Sequence, residues 1–294
     1  MRKLFFISIF LSLFSSCNDG DIIVTDFNFE VSNLNNCGGP GAYVFYNINN
    51  SLFAESISLF LETSDILFLE SGTVEYVLNG STYAVNYRKY DNDITDDYFC
   101  SNIPPTTPNV TIEFLGASGI AVLTTIVTKN DEDGIEEDST SNLDTDNDGL
   151  LNYFDNDDDG DNVPTLNELG SEFLIGNVEF PLDTDNDGIY DYLDIDDDGD
   201  TILTRYEDAN ADLDPTNDFT DTNSDPDYLI ATIAQSTIID QYRIHSFQLT
   251  SDIELLINNL VLVNGSEEII KETMVLGNKS GVINEAVVVF PDFN

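Results

Sequence analysis

The chain has 294 residues, with 56 Asp and Glu against 9 Lys and Arg and a formal net charge of −47, a field that excludes nucleic acid as a direct ligand. Apolar residues make up 41% of the chain and aromatics 11%, enough for a core of ordinary size, which excludes wholesale disorder. The acid is uneven: 34 of the acidic residues and a single base, Arg205, fall between Asp131 and Asp227, so chemistry is to be sought in the middle third.

In chain order, Met1-Arg2-Lys3 is a basic start, Leu4 to Phe14 is an apolar run, and Ser15-Ser16-Cys17 closes it with small residues. Residues 1–16 therefore read as an export signal, too short to span roughly 30 Å of hydrocarbon as a helix. A lone Cys after two small residues resembles the lipobox of bacterial lipoproteins, with Phe14 where that family usually has Leu. The resemblance implies that Cys17 is acylated and anchors the chain to the membrane, as an outer-membrane lipoprotein of the cell envelope. Asn18-Asp19-Gly20-Asp21 resembles the acidic tether of surface-exported lipoproteins. Loss of residues 1–16 removes two bases and no acids, which takes the charge from −47 to −49.

Residues 17–130 read as short strands broken by turn residues. The clearest hairpin signal is Asn79-Gly80, between Val74–Leu78 and Ser81–Tyr87, because this pair suits a type I′ turn. About seven strands in about 110 residues predict a β-sandwich of the immunoglobulin-like class. Cys37 and Cys100 are the even remainder in an exported chain, read as a disulfide, with two buried free thiols as the alternative.

Residues 131–227 contain an internal repeat. Asp144-Thr145-Asp146-Asn147-Asp148-Gly149 recurs 39 residues later as Asp183-Thr184-Asp185-Asn186-Asp187-Gly188. Each is followed by Asp-x-Asp-Asp-Asp-Gly-Asp, at Asp155–Asp161 and Asp194–Asp200. The acids fall at positions 1, 3, 5 and 12 of four loops, a spacing that wraps oxygen ligands around Ca²⁺. The first loop takes Asp144, Asp146, Asp148 and Asp155, and the second Asp157, Asp159, Asp161 and Glu168. Asp183, Asp185, Asp187 and Asp194 form the third, with Asp191 available at position 9. The fourth uses Asp196, Asp198, Asp200 and Glu207. About four Ca²⁺ ions are expected. The region has no Cys and no His, which disfavours Zn²⁺, and seven-fold coordination disfavours Mg²⁺. Gly149 and Gly188 stand at position 6, where the loop bends sharply. In the second and fourth loops that place holds Asn162 and Thr201, and Thr resists a left-handed bend, so the fourth loop is the weakest of the set.

The run from Asp183 to Asp200 resembles the thrombospondin type 3 repeat, a calcium-binding unit common in surface lipoproteins of flavobacterial type. The resemblance covers about 80 residues and implies acidic loops with little regular structure, stiffened by Ca²⁺. Asp208-Ala209-Asn210-Ala211-Asp212-Leu213 lacks the Gly, Asp221-Thr222-Asn223-Ser224 lacks the alternating acids, and Asp131-Glu132-Asp133-Gly134 is truncated. None of the three is counted as a site.

Residues 228–294 form a small C-terminal β region with a second hairpin signal at Asn264-Gly265. At that size it is expected to pack on the first domain or on a neighbouring molecule. His245, the single histidine, reads as an exposed strand residue. Without a nucleophile elbow, phosphate loop or zinc motif, the chain is not expected to be an enzyme. A structural or adhesive surface role follows, with a protein or glycan of the cell surface or matrix as partner. Carbohydrate binding or nutrient capture by an accessory lipoprotein is the alternative, disfavoured by the absence of Trp.

Overall fold

The computed structural model describes residues 27, 29–136, 139–176, 180–222 and 224–293; the export signal and Cys17 lie outside them. Alternating apolar residues make the strands, as in Ile57, Leu59 and Leu61, all fully buried on one face. The elements are β1 Asn35–Gly39, β2 Ala42–Asn49, β3 Glu55–Leu61, β4 Gly72–Val77, β5 Tyr83–Tyr90, β6 Val110–Asn130, β7 His245–Asn264 and β8 Glu267–Val289. A four-residue helix, α1 Asp97–Cys100, precedes β6.

The fold is mainly β, with 38% strand and 12% helix. Its strands form one curled antiparallel sheet in the order β1-β2-β3-β5-β6-β7-β8, with β4 also on β6. The strands are thus linked in one continuous hydrogen-bonded sheet. Cys37 in β1 and Cys100 in α1 are joined by a disulfide, so the free-thiol alternative falls.

Both hairpin signals are displaced. β4 pairs with β6 and not with β5, so Asn79-Gly80 turns the chain without joining its flanking strands. Gly80 alone of the two takes a positive φ, +73°. The Asn79 side chain instead accepts the amides of Ser81 and Tyr83 at 2.9 and 3.1 Å, a local cap that replaces the type I′ geometry. At the C-terminal hairpin the tight turn is Gly265-Ser266, one residue later than expected, with φ +63° at Gly265.

The chain gathers into two compact units that do not follow the composition boundaries. Of the described residues, one unit takes those up to 67, with 73–124 and 254–279; the other takes 68–72 and those within 125–253 and 280–293. The C-terminal region is therefore divided between them. In the first unit, Phe45, Ile57, Leu59 and Tyr87 are buried, as are Leu255, Ile257 and Leu262 of β7. Tyr87 donates a 2.6 Å hydrogen bond to Glu55.

The second unit holds the acidic repeats. Leu150, at position 7 of the first loop, packs with Phe154 against Phe247 and Leu249 of β7 and against Val127 of β6. Phe154 and Phe247 meet edge to face at 5.1 Å, and the Lys129 ammonium lies 3.7 Å from the Phe154 ring centroid. An apolar residue inside an acidic loop thus docks the loop onto strands.

Candidate metal centre

Each loop is built by the acids that line it. Asp146 Oδ1 accepts the Asp148 amide, and Asp148 Oδ1 accepts that of Leu150. The same i to i+2 bonds recur from Asp185 and Asp187, from Asp159 and Asp161, and from Asp198 and Asp200. One oxygen of each carboxylate shapes the turn. The other, Oδ2 of Asp146, Asp148, Asp159, Asp161, Asp198 and Asp200, is buried without a hydrogen-bond partner, as are both oxygens of Glu168 and Glu207. A buried carboxylate oxygen with no donor is costly. An ion placed among several of them would remove that cost.

Carboxylates that could ligate an ion cluster, buried and unpartnered in part, with Asp185 and Asp187 exposed. Asp144, Asp146 and Asp148 form one group, Asp183, Asp185 and Asp187 a second, and Asp196, Asp198 and Asp200 a third, each with ligand atoms within 4.8 Å of one another. These acidic clusters could hold metal ions. A fourth group joins Asp159, Asp161 and Glu168 with Asp197, a residue the loop spacing does not select. Asp197 belongs to the second copy and completes a cluster of the first, both its oxygens buried and unpaired. Both oxygens of Asp191 accept hydrogen bonds from Thr184, one from its amide and one from its hydroxyl, each at 2.7 Å. Asn152 holds Thr145 in the same way in the first copy, so the position clamps the loop whether or not it is charged.

The paired loops lock through glycine. At Gly160, φ is +71° and a Cβ would collide with the Asp146 carboxylate; at Gly199, φ is +68° and the obstacle is Asp185. Two residues on, Asn162 and Thr201 take φ of +75° and +83°, and their amides bond to Oδ2 of Asp157 and Asp196 at 3.1 and 3.0 Å. Thr201 therefore does adopt the left-handed bend. The hydrogen bond to Asp196 compensates its strain, and the fourth loop keeps the shape of the second.

Crowding shows in the proton affinities. Burial first, then neighbouring carboxylates, push Asp146 up to about 7, Asp148 to about 6, Asp198 to about 6 and Glu207 to about 9. Asp159, Asp161, Glu168 and Asp197 are raised well above the ordinary carboxylate range for the same reasons. Such a centre prefers protons or divalent cations to bare charge.

His245 is not an exposed strand residue. It opens β7 with 1% of its surface exposed and forms a group with Asp148 and Asp155. Nδ1 lies 2.7 Å from Asp155 Oδ1 and 3.8 Å from Asp148 Oδ2, and Nε2 lies 3.7 Å from Asp157 Oδ2. Neither nitrogen meets the geometry of a hydrogen bond, so the 2.7 Å approach is an undirected contact. Burial pulls the imidazole down, but Asp155 and Asp157 push it up further, to about 10. Strand alternation signals only that one face is covered, and what covers this face is a loop some 90 residues earlier in the chain.

The loop backbone recurs where the acids are missing. Ala211 and Leu213 take φ of +57° and +67°, as Gly160 and Asn162 do, and the Leu213 amide bonds to Asp208 as the Asn162 amide does to Asp157. Thr220 bonds to both oxygens of Asp227 as Thr184 does to Asp191. Asp131 and Asp133 accept the amides of Asp133 and Ile135, repeating Asp146 and Asp148. The chain matches no protein-family model, no curated protein and no solved structure.

Proposed function

We propose that this chain is a lipid-anchored, calcium-binding protein of the cell surface, whose repeats are stiffened by Ca²⁺ and whose role is structural or adhesive. The observation that carries the reading is the set of buried, unpartnered carboxylate oxygens turned into the loop clusters. Most of the donors are hard oxygens, which suits Ca²⁺, and the likeness of the loops to thrombospondin type 3 repeats favours the same ion. Four ions would carry the mature charge from −49 to about −41. Cys17 supplies the anchor in this reading, several acyl chains holding where one would not.

Calorimetric titration of the mature chain with Ca²⁺, paired with limited proteolysis in chelator, tests the metal. About four ions with affinities of about 10⁻⁴ to 10⁻³ M are expected, together with protection of residues 131–227 from protease. Silence up to several millimolar Ca²⁺ would overturn the reading. Release of a Cys17→Ser variant from the membrane fraction tests the anchor, and protease shaving of intact cells tests surface exposure. Pull-down of surface and matrix components with and without Ca²⁺ tests adhesion.

A further inference from the structure

The first and third loops are copies of one another in sequence, yet among the described residues only the first has a nitrogen ligand grouped with its acids. His245 is the single histidine of the chain, and it reaches the carboxylates of Asp148 and Asp155 from β7. The corresponding pair in the second copy, Asp187 and Asp194, appears in no group with a nitrogen ligand among the described residues. The ring is enclosed and held in place, because Phe247 and Leu249, two and four residues on, pack against Phe154 and Leu150 of the same loop. Asp148 Oδ2 is buried with no hydrogen-bond partner.

We propose that Asp148, Asp155 and His245 make the first loop a mixed nitrogen–oxygen site, in which one borderline divalent cation of the Zn²⁺ class displaces the Ca²⁺ that this loop takes when zinc is absent, while the other loops keep all-oxygen ligands. Imidazole is a favoured ligand of Zn²⁺ and other late first-row ions, whereas Ca²⁺ takes oxygen. Ligand atoms bound at about 2.0–2.2 Å to one ion lie no more than about 4 Å apart, and Nδ1 stands 2.7 and 3.8 Å from the two carboxylate oxygens. The remaining ring nitrogen faces Asp157 Oδ2 at 3.7 Å, the carboxylate partner that a metal-bound imidazole commonly has behind it. The proposal rests on the reading of Asp148 and Asp155 as metal-facing carboxylates.

One histidine makes the test unambiguous, since the ring ¹⁵N resonances of the labelled full-length chain belong to His245 alone. In excess Ca²⁺, one equivalent of Zn²⁺ is expected to shift the Nδ1 resonance. Competition with a chromophoric chelator should give one tight Zn²⁺ per chain, weakened by about 100-fold or more in His245→Gln, beyond the 10- to 100-fold loss typical of outer-shell changes. Ring resonances that do not respond to Zn²⁺ would overturn the proposal, the ring then being an imidazolium among three carboxylates. Tight Zn²⁺ binding retained by His245→Gln would overturn it too, and should the variant not fold, the wild-type resonances decide alone. Ca²⁺ stoichiometry measured in zinc-free buffer keeps the two readings apart. A ring that responds to Zn²⁺ in a chain that ignores Ca²⁺ sinks only the calcium reading, and four Ca²⁺ with an unresponsive ring sinks only this one.

Discussion

Replacing Glu168 by Gln should stabilise the metal-free chain and weaken the metal-loaded one. Glu168 is 2% exposed, neither of its oxygens has a hydrogen-bond partner, and it shares a 4.8 Å group with Asp159, Asp161 and Asp197. Two unit charges at that separation repel by about 3.5 kcal/mol at an effective dielectric of about 20, so each neighbour that is ionised adds to the burial penalty on an ionised Glu168. Protonation is the easier escape. From an ordinary value of 4.5, holding a proton at pH 7 costs about 3.4 kcal/mol at about 1.36 kcal/mol per pH unit, and that is the ceiling on what Gln can gain. Burial and then the neighbouring acids raise this carboxyl, so above its ordinary value the folded, metal-free chain holds a proton that the unfolded chain has released. The penalty is absent in acid and grows as pH rises. At pH 5 the ceiling falls to about 0.7 kcal/mol by the same arithmetic. Urea unfolding in chelator at pH 5 and pH 7 measures the difference. Glu168→Gln should unfold at higher urea than wild type at pH 7 and nearly alongside it at pH 5, with the order reversed in millimolar Ca²⁺. A variant less stable than wild type in chelator at both pH values would refute the crowding argument, because it would mean that Glu168 is already paired.

Gly160→Ala should disable the first copy: the left-handed backbone costs about 1–2 kcal/mol for any residue with a Cβ, and that Cβ would displace the Asp146 carboxylate. Gly199→Ala should do the same to the second copy through Asp185, and calorimetric stoichiometry would report each loss. Asp197→Asn should remove an ion from the first copy's group with Asp159, Asp161 and Glu168; a loss confined to the second copy, read from proteolytic protection of each, would contradict that placement. Replacing Cys37 and Cys100 together by Ala frees a loop of 63 residues and should destabilise the first unit by about 4 kcal/mol on the chain-entropy account, measured as a fall in its urea midpoint.

What was legible in the sequence was whatever is periodic and local. Alternation in stretches such as Ile57–Leu61 marks strands, and acids at every second position mark loops whose backbone amides they bind. Partners far apart in sequence leave no such trace. Nothing near His245 says that Asp155 lies against it, and nothing in the spacing of the second copy says that Asp197 turns away from its own loop to face Glu168. The Asn79-Gly80 signal failed for a related reason. A turn dipeptide specifies how the chain reverses, but the pairing of β4 with β6 is decided by which strand edges are available, a global choice.

The degenerate units carry this distinction furthest. The Asp208 loop keeps the backbone of the Asp157 loop with Ala211 and Leu213 in place of Gly160 and Asn162, at positive φ where neither residue is favoured. Its strain is balanced by the amides of Asp212 and Leu213 bonding to the fully buried Asp208 carboxylate. Position 3 is now Asn210, whose amide donates to Asn217, which in turn donates to Asp212. A side-chain amide network thus stands across the mouth of the loop where its equivalents present bare carboxylates. Likewise Ile230 occupies the place of Asp155 and Asp194 after a clamp that Thr220 and Asp227 preserve. The hydrogen bonds that shape these loops are therefore separable from the charges that would bind an ion. Shape needs one oxygen per acid, binding needs the second, and a unit that loses the second function can keep the first. Loops of that kind should hold their form in chelator, while the Asp157 and Asp196 loops, whose unpaired oxygens repel one another, should be the first to open.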